Sequence, residues 1–167
     1  MSSTRASLQY ACSLCTRALR PSAFVSLNDA GAYCCPVCAA VFPVVRDIPR
    51  FVPDEHYASS FGLQWIRHAK AQLDSHTGKP ITRSRFFMET GWPMRMEGDR
   101  ILEAGCGAGR FTEVLAGTGA DVYSFDLSNA VEANRANHER LPNVHIFQAS
   151  IDAIPFAQGQ FDRVLCL

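Results

Sequence analysis

Short apolar runs alternate with amphipathic segments through the second half of the chain. The apolar runs lie at residues 101–102, 122–125, 144–147 and 161–167. Their length and their β-branched and aromatic residues predict buried strands. Between the first two runs, Phe111, Val114 and Leu115 share one helix face, and Ser128 is a candidate N-cap for a second helix that extends to about Arg140. The pattern predicts an α/β fold with a doubly wound, Rossmann-like parallel sheet, in which the fourth strand lies beside the first.

The first half of the chain has a different pattern, with prolines at positions 43, 49 and 53 that predict an extended segment. Residues 54–73 then carry apolar side chains at spacings of three and four, which predicts a helix. A second helix is predicted over residues 81–90, between the breakers Gly78 and Gly91. We therefore expect three regions: a small module over residues 1–53, a helical covering segment over 54–98, and the α/β region over 99–167.

A glycine-rich turn follows the first predicted strand. Residues 103–109 read Glu-Ala-Gly-Cys-Gly-Ala-Gly, and a helix is predicted directly after them. Glycine allows a turn this tight and a close approach of the backbone to a ligand. Asp126 ends the second strand, so its carboxylate is placed to accept hydrogen bonds from two ribose hydroxyls. These features predict a site for a nucleoside-containing cofactor, with glycines that serve only tight packing as the alternative.

The spacing of the glycines distinguishes two kinds of cofactor. A dinucleotide site has the pattern Gly-x-Gly-x-x-Gly and binds a pyrophosphate at the helix N-terminus. Here Arg110 occupies the third glycine position, and Glu103 just upstream suits an ammonium group better than a pyrophosphate. A nicotinamide-dependent oxidoreductase is therefore a disfavoured alternative.

Residues 103–109 match every fixed position of the pattern Glu/Asp-x-Gly-x-Gly-x-Gly. In this the chain resembles the N-terminal part of the class I S-adenosylmethionine-dependent methyltransferases, over residues 99–167. The resemblance implies that the glycine turn cradles the methionine part of the cofactor, that Asp126 holds the ribose and that Leu127 packs on the adenine. The residues that it assigns to the cofactor are Glu103, Gly105, Cys106, Gly107, Gly109, Asp126, Leu127, Ser150 and Ile151.

Ser150 is the position at which the chain departs from this family. The family places a polar or acidic residue near the adenine amino group after the third strand, and we align Ser150 with the usual acid. Either Asp152 compensates for the missing acid, or the Ser150 hydroxyl makes a weaker contact together with the Ile151 backbone.

Two Cys-x2-Cys pairs, separated by 19 residues, stand near the start of the chain. That spacing is typical of zinc ribbons, in which two knuckles supply four thiolates to one ion and leave no open position. We therefore predict a structural zinc ion bound by Cys12, Cys15, Cys35 and Cys38. Cys34 could replace Cys35 only by changing the second knuckle to Cys-x3-Cys, and reduced cysteines without a metal are the alternative for the whole set.

The sequence around the second knuckle resembles the zinc ribbon of the small activator protein of tRNA and protein methyltransferases. Cys-Pro-Val-Cys is followed by VFPVVRDIPRFVP at residues 41–53, although Ala39 stands where glycine is usual. The same ribbon occurs ahead of bacterial methyltransferase domains, whose N-terminal helices cover the cofactor pocket, and residues 60–92 resemble those helices. Side chains of this segment that are candidates to face cofactor or acceptor, unless they belong only to the core, are Tyr57, Phe61, Gln64 and Trp65.

Composition limits the partners and the compartment. Lys and Arg total 16, as do Asp and Glu, so no basic field attracts nucleic acid. No apolar run is long enough to span a bilayer, and the N-terminus lacks the apolar core of a signal peptide. Seven cysteines without an export signal indicate thiols or metal ligands rather than disulfides. We therefore expect a cytoplasmic protein.

The resulting hypothesis is methyl transfer from S-adenosylmethionine to a small-molecule, lipid or glycan acceptor. This chemistry needs two reactants held in line and water excluded, and it needs a general base only for some acceptors. His56 and His68 are open candidates for a base, whereas His138, on a predicted surface helix, and His145, in a strand, are interpreted as structural.

Two further expectations concern the extent of the chain. Because the remaining strands of the family fold are absent, we expect the 167 residues alone to be inactive and to expose residues 164–167 as an apolar edge. We also expect either a partner chain or a longer sequence to complete the fold. A non-catalytic module, in which the ribbon and the half-domain serve a partner, is the alternative.

Overall fold

The computed structural model describes residues 8–22, 31–52 and 69–166, which contain two β-sheets and four α-helices. The predicted helix over residues 54–73 lies mostly outside the described residues. Its described end, residues 69–72, forms turns, because Leu73 is extended and cannot continue a helix. The candidate residues that also lie outside the described part are His56, Tyr57, Phe61, Gln64, Trp65 and His68. No helix in the described part is long and apolar enough to cross a membrane.

The N-terminal sheet is a four-stranded antiparallel meander in the order β1-β2-β3-β4. Its strands are β1 Arg20–Ser22, β2 Ala32–Cys34, β3 Val41–Val45 and β4 Ile48–Pro49. A two-residue turn, Arg46-Asp47, joins β3 to β4, and its φ angles of 52° and 62° are those of a tight hairpin turn. Strands this short bury little apolar surface by themselves, so this region needs another source of stability.

Within residues 69–166, two helices precede the second sheet: α1 Asp74–Thr77 and α2 Ile81–Thr90, the latter with its predicted bounds. Gly78 and Gly91 end them with φ angles of 68° and 63°, which glycine adopts without strain. The Asp74 carboxylate accepts hydrogen bonds from the backbone N–H groups of Thr82 (3.0 Å) and Arg83 (2.8 Å). Asp74 therefore caps the start of α2 from the preceding helix.

The second sheet is parallel throughout and has the order β7-β6-β5-β8. Its strands are β5 Arg100–Ala104, β6 Asp121–Asp126, β7 Val144–Gln148 and β8 Arg163–Cys166. The helices α3 Arg110–Ala116 and α4 Ala130–His138 follow β5 and β6. The fourth strand lies beside the first, so the predicted α/β sheet and its strand order are confirmed.

The helix α4 is shorter than the predicted one. It begins at Ala130 with Asn129 as its N-cap, not Ser128, and it ends at His138 rather than near Arg140. The Ser128 hydroxyl donates to the Asp126 carboxylate at 2.7 Å instead, and its oxygen accepts from the N–H of Ala130 at 3.2 Å. The interpretation of this helix as surface-like is wrong for His138, which is buried at its end.

Both faces of the parallel sheet are covered. One face packs against the helices, with buried residues that include Ile101, Leu115, Val122, Val131, Ile146 and Phe86 of α2. The other face packs against the N-terminal region, which comprises the described residues 8–22 and 31–52. The cluster between them includes Leu102, Phe125 and Phe147 from the sheet and Leu19, Phe42 and Phe51 from the N-terminal region. The N-terminal region therefore occupies the face that helices cover in a doubly wound fold.

Within the described residues β8 lies at one edge of the parallel sheet, as predicted for the fourth strand. Val164 and Cys166 are exposed, whereas Leu165 is buried against the helix-covered face. Successive side chains of a strand point to opposite faces of the sheet, so only part of this run is exposed apolar surface.

Candidate cofactor site and metal centre

A cavity of about 360 Å³ opens at the carboxyl ends of β5 and β6, which is where ligands bind in parallel α/β sheets. On the sheet side it is lined by Gly105, Cys106, Gly107, Ala108, Arg110, Phe111 and Asp126. On the covering side it is lined by Ala69, Gln72, Leu73 and Arg85. The predicted glycine turn and Asp126 thus share one cavity with residues of the covering segment.

The glycine turn is held in a backbone conformation that only glycine suits. Gly105, Gly107 and Gly109 have φ angles of 77°, 51° and 95°. A Cβ atom on Gly109 would lie 2.4 Å from side-chain atoms of both Asn134 and His138. The N–H groups of Gly105 and Cys106 both donate to the Phe125 carbonyl, at 2.9 and 3.0 Å, and fix the turn to the end of β6.

Asp126 is fixed at the cavity wall by bonds to both carboxylate oxygens. One oxygen accepts from the backbone N–H of Gly107 at 3.0 Å. The other accepts from the N–H and the hydroxyl of Ser128, at 2.8 and 2.7 Å. A carboxylate has about four lone-pair sites, so beyond these three bonds Asp126 can still accept a hydrogen bond from a ligand.

Glu103 lies outside the lining of the cavity. Its side chain is buried, and one carboxylate oxygen accepts hydrogen bonds from Thr112 Oγ1 and Ser124 Oγ, both at 2.6 Å. Burial raises the pKa of Glu103 to about 7, and the two hydroxyl groups oppose this effect. A role for Glu103 with a cofactor ammonium group stays a prediction.

The residues around Glu103 form a buried polar network that the sequence did not reveal. The Asn134 amide donates to Thr112 Oγ1 at 2.9 Å, and Asn134 Oδ1 lies 2.7 Å from Nδ1 of His138. Burial lowers the pKa of His138. The available signal was Ser124, a small polar residue within the apolar run of β6. The network links the strands β5 and β6 to the helices α3 and α4 near the glycine turn.

The predicted adenine side contains Leu127, Ser150 and Ile151. The Leu127 carbonyl accepts a hydrogen bond from Nε2 of Gln148 at 2.7 Å. Ser150 Oγ accepts from the N–H of Asp152 at 3.2 Å and caps the 3₁₀ turn Ile151–Ala153. Ile151 is 59% exposed. None of the three predicted residues lines the cavity of about 360 Å³, so their contacts with adenine stay predictions.

Four of the cysteines converge at the tip of the N-terminal region. The Sγ atoms of Cys12, Cys15, Cys35 and Cys38 all lie within 4.8 Å of one another. Three of the Sγ–Sγ distances are 3.4 to 3.6 Å. Four thiolates at the usual Zn–S distance in a tetrahedron would lie about 3.8 Å apart, so the set fits a zinc ion. Cys34 lies in β2, outside the cluster.

The two knuckles have the same backbone geometry. The N–H of Cys12 donates to the Arg17 carbonyl at 2.7 Å, and the N–H of Cys35 donates to the Ala40 carbonyl at 2.8 Å. The residue before each acceptor, Thr16 or Ala39, has a positive φ. The backbone N–H of Cys38, with that of Val37, lowers the pKa of the Cys35 thiol to about 6 against the effect of burial. The knuckle therefore favours a thiolate at Cys35.

The basic residues of α2 have distinct surroundings. The Arg83 guanidinium lies 5.0 Å from the centre of the Phe87 ring. Arg85 lines the cavity and forms an ion pair with Glu89 at 2.9 Å. Arg85 is therefore the one of the two that can meet a ligand in this cavity.

Comparison with known proteins identifies the fold of the second half. Residues 101–167 match the family model described as "Methyltransferase domain". A ubiquinone biosynthesis O-methyltransferase of Acinetobacter baylyi is 33% identical over 76 residues, which are 43% of this chain and 32% of that protein. A malonyl-[acyl-carrier protein] O-methyltransferase of Enterobacter lignolyticus is 38% identical over 65 residues, which are 39% of this chain and 25% of that protein.

The chain thus spans about a third or less of the length of these curated relatives. Among solved structures, a Methanococcus maripaludis protein assigned to the S-adenosyl-L-methionine-dependent methyltransferases superposes with a TM-score of 0.50. It is 14% identical, and the match covers 69% of this chain and 52% of that protein. This likeness concerns the fold alone. The strand order, the glycine turn and the family match together identify the α/β region as having a methyltransferase fold with a parallel sheet.

Proposed function

We propose that this chain is the cofactor-binding part of an S-adenosylmethionine-dependent methyltransferase. The observation that carries the proposal is the fixed Asp126 carboxylate, which lies beside the glycine turn in the wall of a cavity. A carboxylate in that position suits a pair of ribose hydroxyls, and Arg110 in the third position of the dinucleotide pattern argues against a pyrophosphate. The family match over residues 101–167 supports the same assignment.

The bound cofactor would supply a methyl group that its sulfonium already activates. The protein residues then contribute position and exclusion of water. Asp126 accepts hydrogen bonds from the ribose, while the glycine turn leaves space for the methionine part. Leu73 and Arg85 of the covering segment line the same cavity, where they would limit the access of water to a bound cofactor.

The proposed acceptor is a small molecule or a lipid-related group. Both curated relatives are O-methyltransferases, one of ubiquinone biosynthesis and one of malonyl-[acyl-carrier protein]. The zero net charge of the chain is consistent with such an acceptor rather than nucleic acid.

We also propose that Cys12, Cys15, Cys35 and Cys38 bind one structural zinc ion. The distances between their sulfur atoms fit a tetrahedral site, and four protein ligands leave no position open for catalysis. The region that contains them would then act as a zinc ribbon that covers one face of the parallel sheet.

Calorimetry with S-adenosylmethionine and with NAD tests the cofactor assignment on the chain as it exists. We expect S-adenosylmethionine to bind and Asp126→Ala to weaken it at least about tenfold, since a hydrogen bond to a charged group contributes about 1.5–3 kcal/mol. Asp121→Ala, at the opposite end of the same strand, is the matched control and should change the affinity less than about twofold.

Preferential binding of NAD would overturn the cofactor assignment. Equal affinities of Asp126→Ala and Asp121→Ala for S-adenosylmethionine would remove Asp126 from the site while leaving the cofactor in place.

A further inference from the structure

We propose that Arg50, at the end of the N-terminal region, is a positioning residue for the adenosine side of the cofactor cavity; this inference rests on the proposed function. Arg50 acts through Gln148 on the loop that follows Asp126, the predicted ribose acceptor. A residue of the N-terminal region would then help to set cofactor affinity, although it lies outside the cavity lining.

Arg50 is a buried cation whose contacts include two side chains of the parallel-sheet region. Its side chain is 6% exposed. One guanidinium nitrogen donates to Oε1 of Gln148 at 2.8 Å, and another donates to Oε1 of Glu132 in α4 at 3.1 Å. The ion pair with Glu132 offsets part of the cost of burying the charge. The contact with Gln148 differs in kind, because the acceptor is a neutral amide.

The contact with Gln148 fixes which way the amide faces. A guanidinium has only donors, so the carbonyl oxygen of the Gln148 amide must face Arg50. The NH₂ group then faces the opposite way and donates to the Leu127 carbonyl at 2.7 Å, with a longer contact to Oδ1 of Asn129 at 3.3 Å. A rotated amide would place donors against the guanidinium and an acceptor against the Leu127 carbonyl.

The loop that Gln148 holds is the one that carries Asp126. Leu127 follows Asp126 directly, and Ser128 binds the Asp126 carboxylate by its N–H and its hydroxyl. Gln148 holds Leu127 and Asn129 on either side of Ser128. The position of the Asp126 carboxylate in the cavity therefore depends on a loop that is held by the Gln148 amide, and Arg50 orients that amide.

The backbone keeps Arg50 in place from both sides. Its N–H donates to the Pro43 carbonyl in β3 at 2.9 Å, so the N-terminal sheet sets its position. Arg50 also forms a parallel bridge with Gln148, and the next N–H, of Phe51, donates to the Gln148 carbonyl at 2.8 Å. The side chain and the main chain of Gln148 thus both contact the end of the N-terminal region.

Arg46 provides a matched control on the same surface. It also forms an ion pair with Glu132, but its side chain is 75% exposed and its described contacts do not include Gln148. Arg46→Gln removes an equal charge and a contact with the same acidic partner, Glu132. It leaves the hydrogen bond between Arg50 and the Gln148 amide in place. A general electrostatic effect of the N-terminal region would appear in both variants, whereas an effect through Gln148 would appear only at Arg50.

Calorimetric titration with S-adenosylmethionine, with zinc content and thermal unfolding measured on the same samples, tests the inference. Arg50→Met should weaken cofactor binding about fivefold, the size expected for one loosened hydrogen bond. Arg50→Lys, which keeps a donor, should recover most of the affinity, and Arg46→Gln should stay within about twofold of the unmodified chain. Zinc content should be the same in all of them.

Gln148→Glu separates positioning from stability. A carboxylate still accepts from Arg50 but cannot donate to the Leu127 carbonyl, so affinity should fall about fivefold even though the contact with Arg50 remains. If Arg50→Met does not fold, the comparison of the other two variants tests the inference. Arg50→Lys should bind S-adenosylmethionine nearly as tightly as the unmodified chain, and Gln148→Glu about fivefold more weakly. Unchanged cofactor affinity in Gln148→Glu, or equal loss in Arg46→Gln and Arg50→Met, overturns the inference. Failure of the unmodified chain to bind S-adenosylmethionine overturns the proposed function, and this inference with it.

Discussion

The N-terminal region and the parallel-sheet region place left-handed backbone on different residues. Within residues 69–166, every residue described with positive φ is a glycine, including the three of the cofactor turn. Among residues 8–22 and 31–52, four non-glycine residues have positive φ: Thr16, Ala39, Arg46 and Asp47. An L-residue in this conformation costs about 1–2 kcal/mol. The backbone of the N-terminal region is therefore held against local preference, whereas that of the sheet region agrees with it.

The two regions also differ in how they bury apolar surface. The parallel sheet has packed residues on both faces and helices to cover one of them. The N-terminal strands are two to five residues long, and their buried aromatic residues, such as Phe42 and Phe51, pack against the sheet rather than among themselves alone. The cysteine cluster and the sheet are thus the two supports of the N-terminal region.

Loss of the metal ligands should have the largest effect. Structural zinc sites have apparent binding free energies of about 10–16 kcal/mol, so Cys35→Ser should lower the zinc content from one per chain to near zero and unfold the N-terminal region. Elemental analysis gives the zinc content, and amide hydrogen exchange reports on each region separately. The helices of the parallel-sheet region should keep their protection. Cys34→Ser is the control, because Cys34 lies outside the cluster and its loss should leave zinc bound. The reverse result would assign Cys34 as the ligand.

Removal of Phe147 should weaken both regions together. Its ring is fully buried and stacks on Phe125 with centroids 5.3 Å apart, and it also contacts Tyr10 and Phe51 of the N-terminal region. Phe147→Ala should lower the free energy of unfolding by about 3–5 kcal/mol. Urea titration measures this free energy when it is followed by the circular dichroism of the helices and by zinc release. Both transitions should shift to lower urea concentration. Ile151→Ala, at an exposed position nearby, should move neither by more than about 0.5 kcal/mol. A shift in only one probe would mean that the regions unfold independently.

The features that the sequence predicted depend on local pattern. The strands β5 to β8, α2 and the cofactor turn follow from periodicity and from glycine spacing within short segments. Cys35 could also be preferred to Cys34 on local grounds, because the second knuckle repeats the spacing of the first. Ser128 shows the limit of such reasoning. Its oxygen accepts from the N–H of Ala130, as that of a capping residue does, but its hydroxyl and its own N–H also donate to the Asp126 carboxylate, a contact that the residue type alone does not predict.

The features that the sequence did not predict depend on contacts between distant segments. Arg50 and Gln148 are 98 positions apart, and no periodic pattern relates them. Nothing local indicates that the N-terminal region covers the second face of the sheet. The motif position of Glu103 predicts a contact with the cofactor, but it does not predict the hydroxyl partners Thr112 and Ser124, which become neighbours only when β5, β6 and α3 are assembled.

A smaller and pH-dependent effect is expected for Glu103, which belongs to the sheet region alone. Burial raises its pKa from the ordinary value of 4.5 to about 7. The stability that this group contributes is complete below pH 4.5 and is lost as the pH rises through 7, since the folded state must then hold a buried charge. Glu103→Gln should therefore gain stability relative to the unmodified chain over that range, by at most about 3 kcal/mol at 1.36 kcal/mol per pKa unit.

Thermal unfolding at pH 4.5, 6 and 7.5 measures the difference. The comparison must be between variants, because the lowered pKa of buried His138 makes stability rise with pH over part of the same range. Glu139→Gln, at an exposed position on the same side of the sheet, is the control. Its unfolding temperature should change with pH in the same way as that of the unmodified chain. If the unfolding temperature of Glu103→Gln also follows that of the unmodified chain at every pH, the pKa of Glu103 is not raised in the folded state.

The smallest effect should come from relieving the backbone of the second knuckle. Ala39 has a φ of 57°, which glycine adopts at no steric cost. Ala39→Gly removes about 1–2 kcal/mol of strain from the folded state, while the greater entropy of the unfolded chain costs about 0.5–1 kcal/mol, so the net gain should lie between about 0 and 1.5 kcal/mol. Ala40→Gly, at a neighbour without positive φ, should lose stability instead. Competition for zinc by a chelator measures both variants. Equal losses would mean that the metal, rather than the backbone preference of position 39, determines the shape of the knuckle.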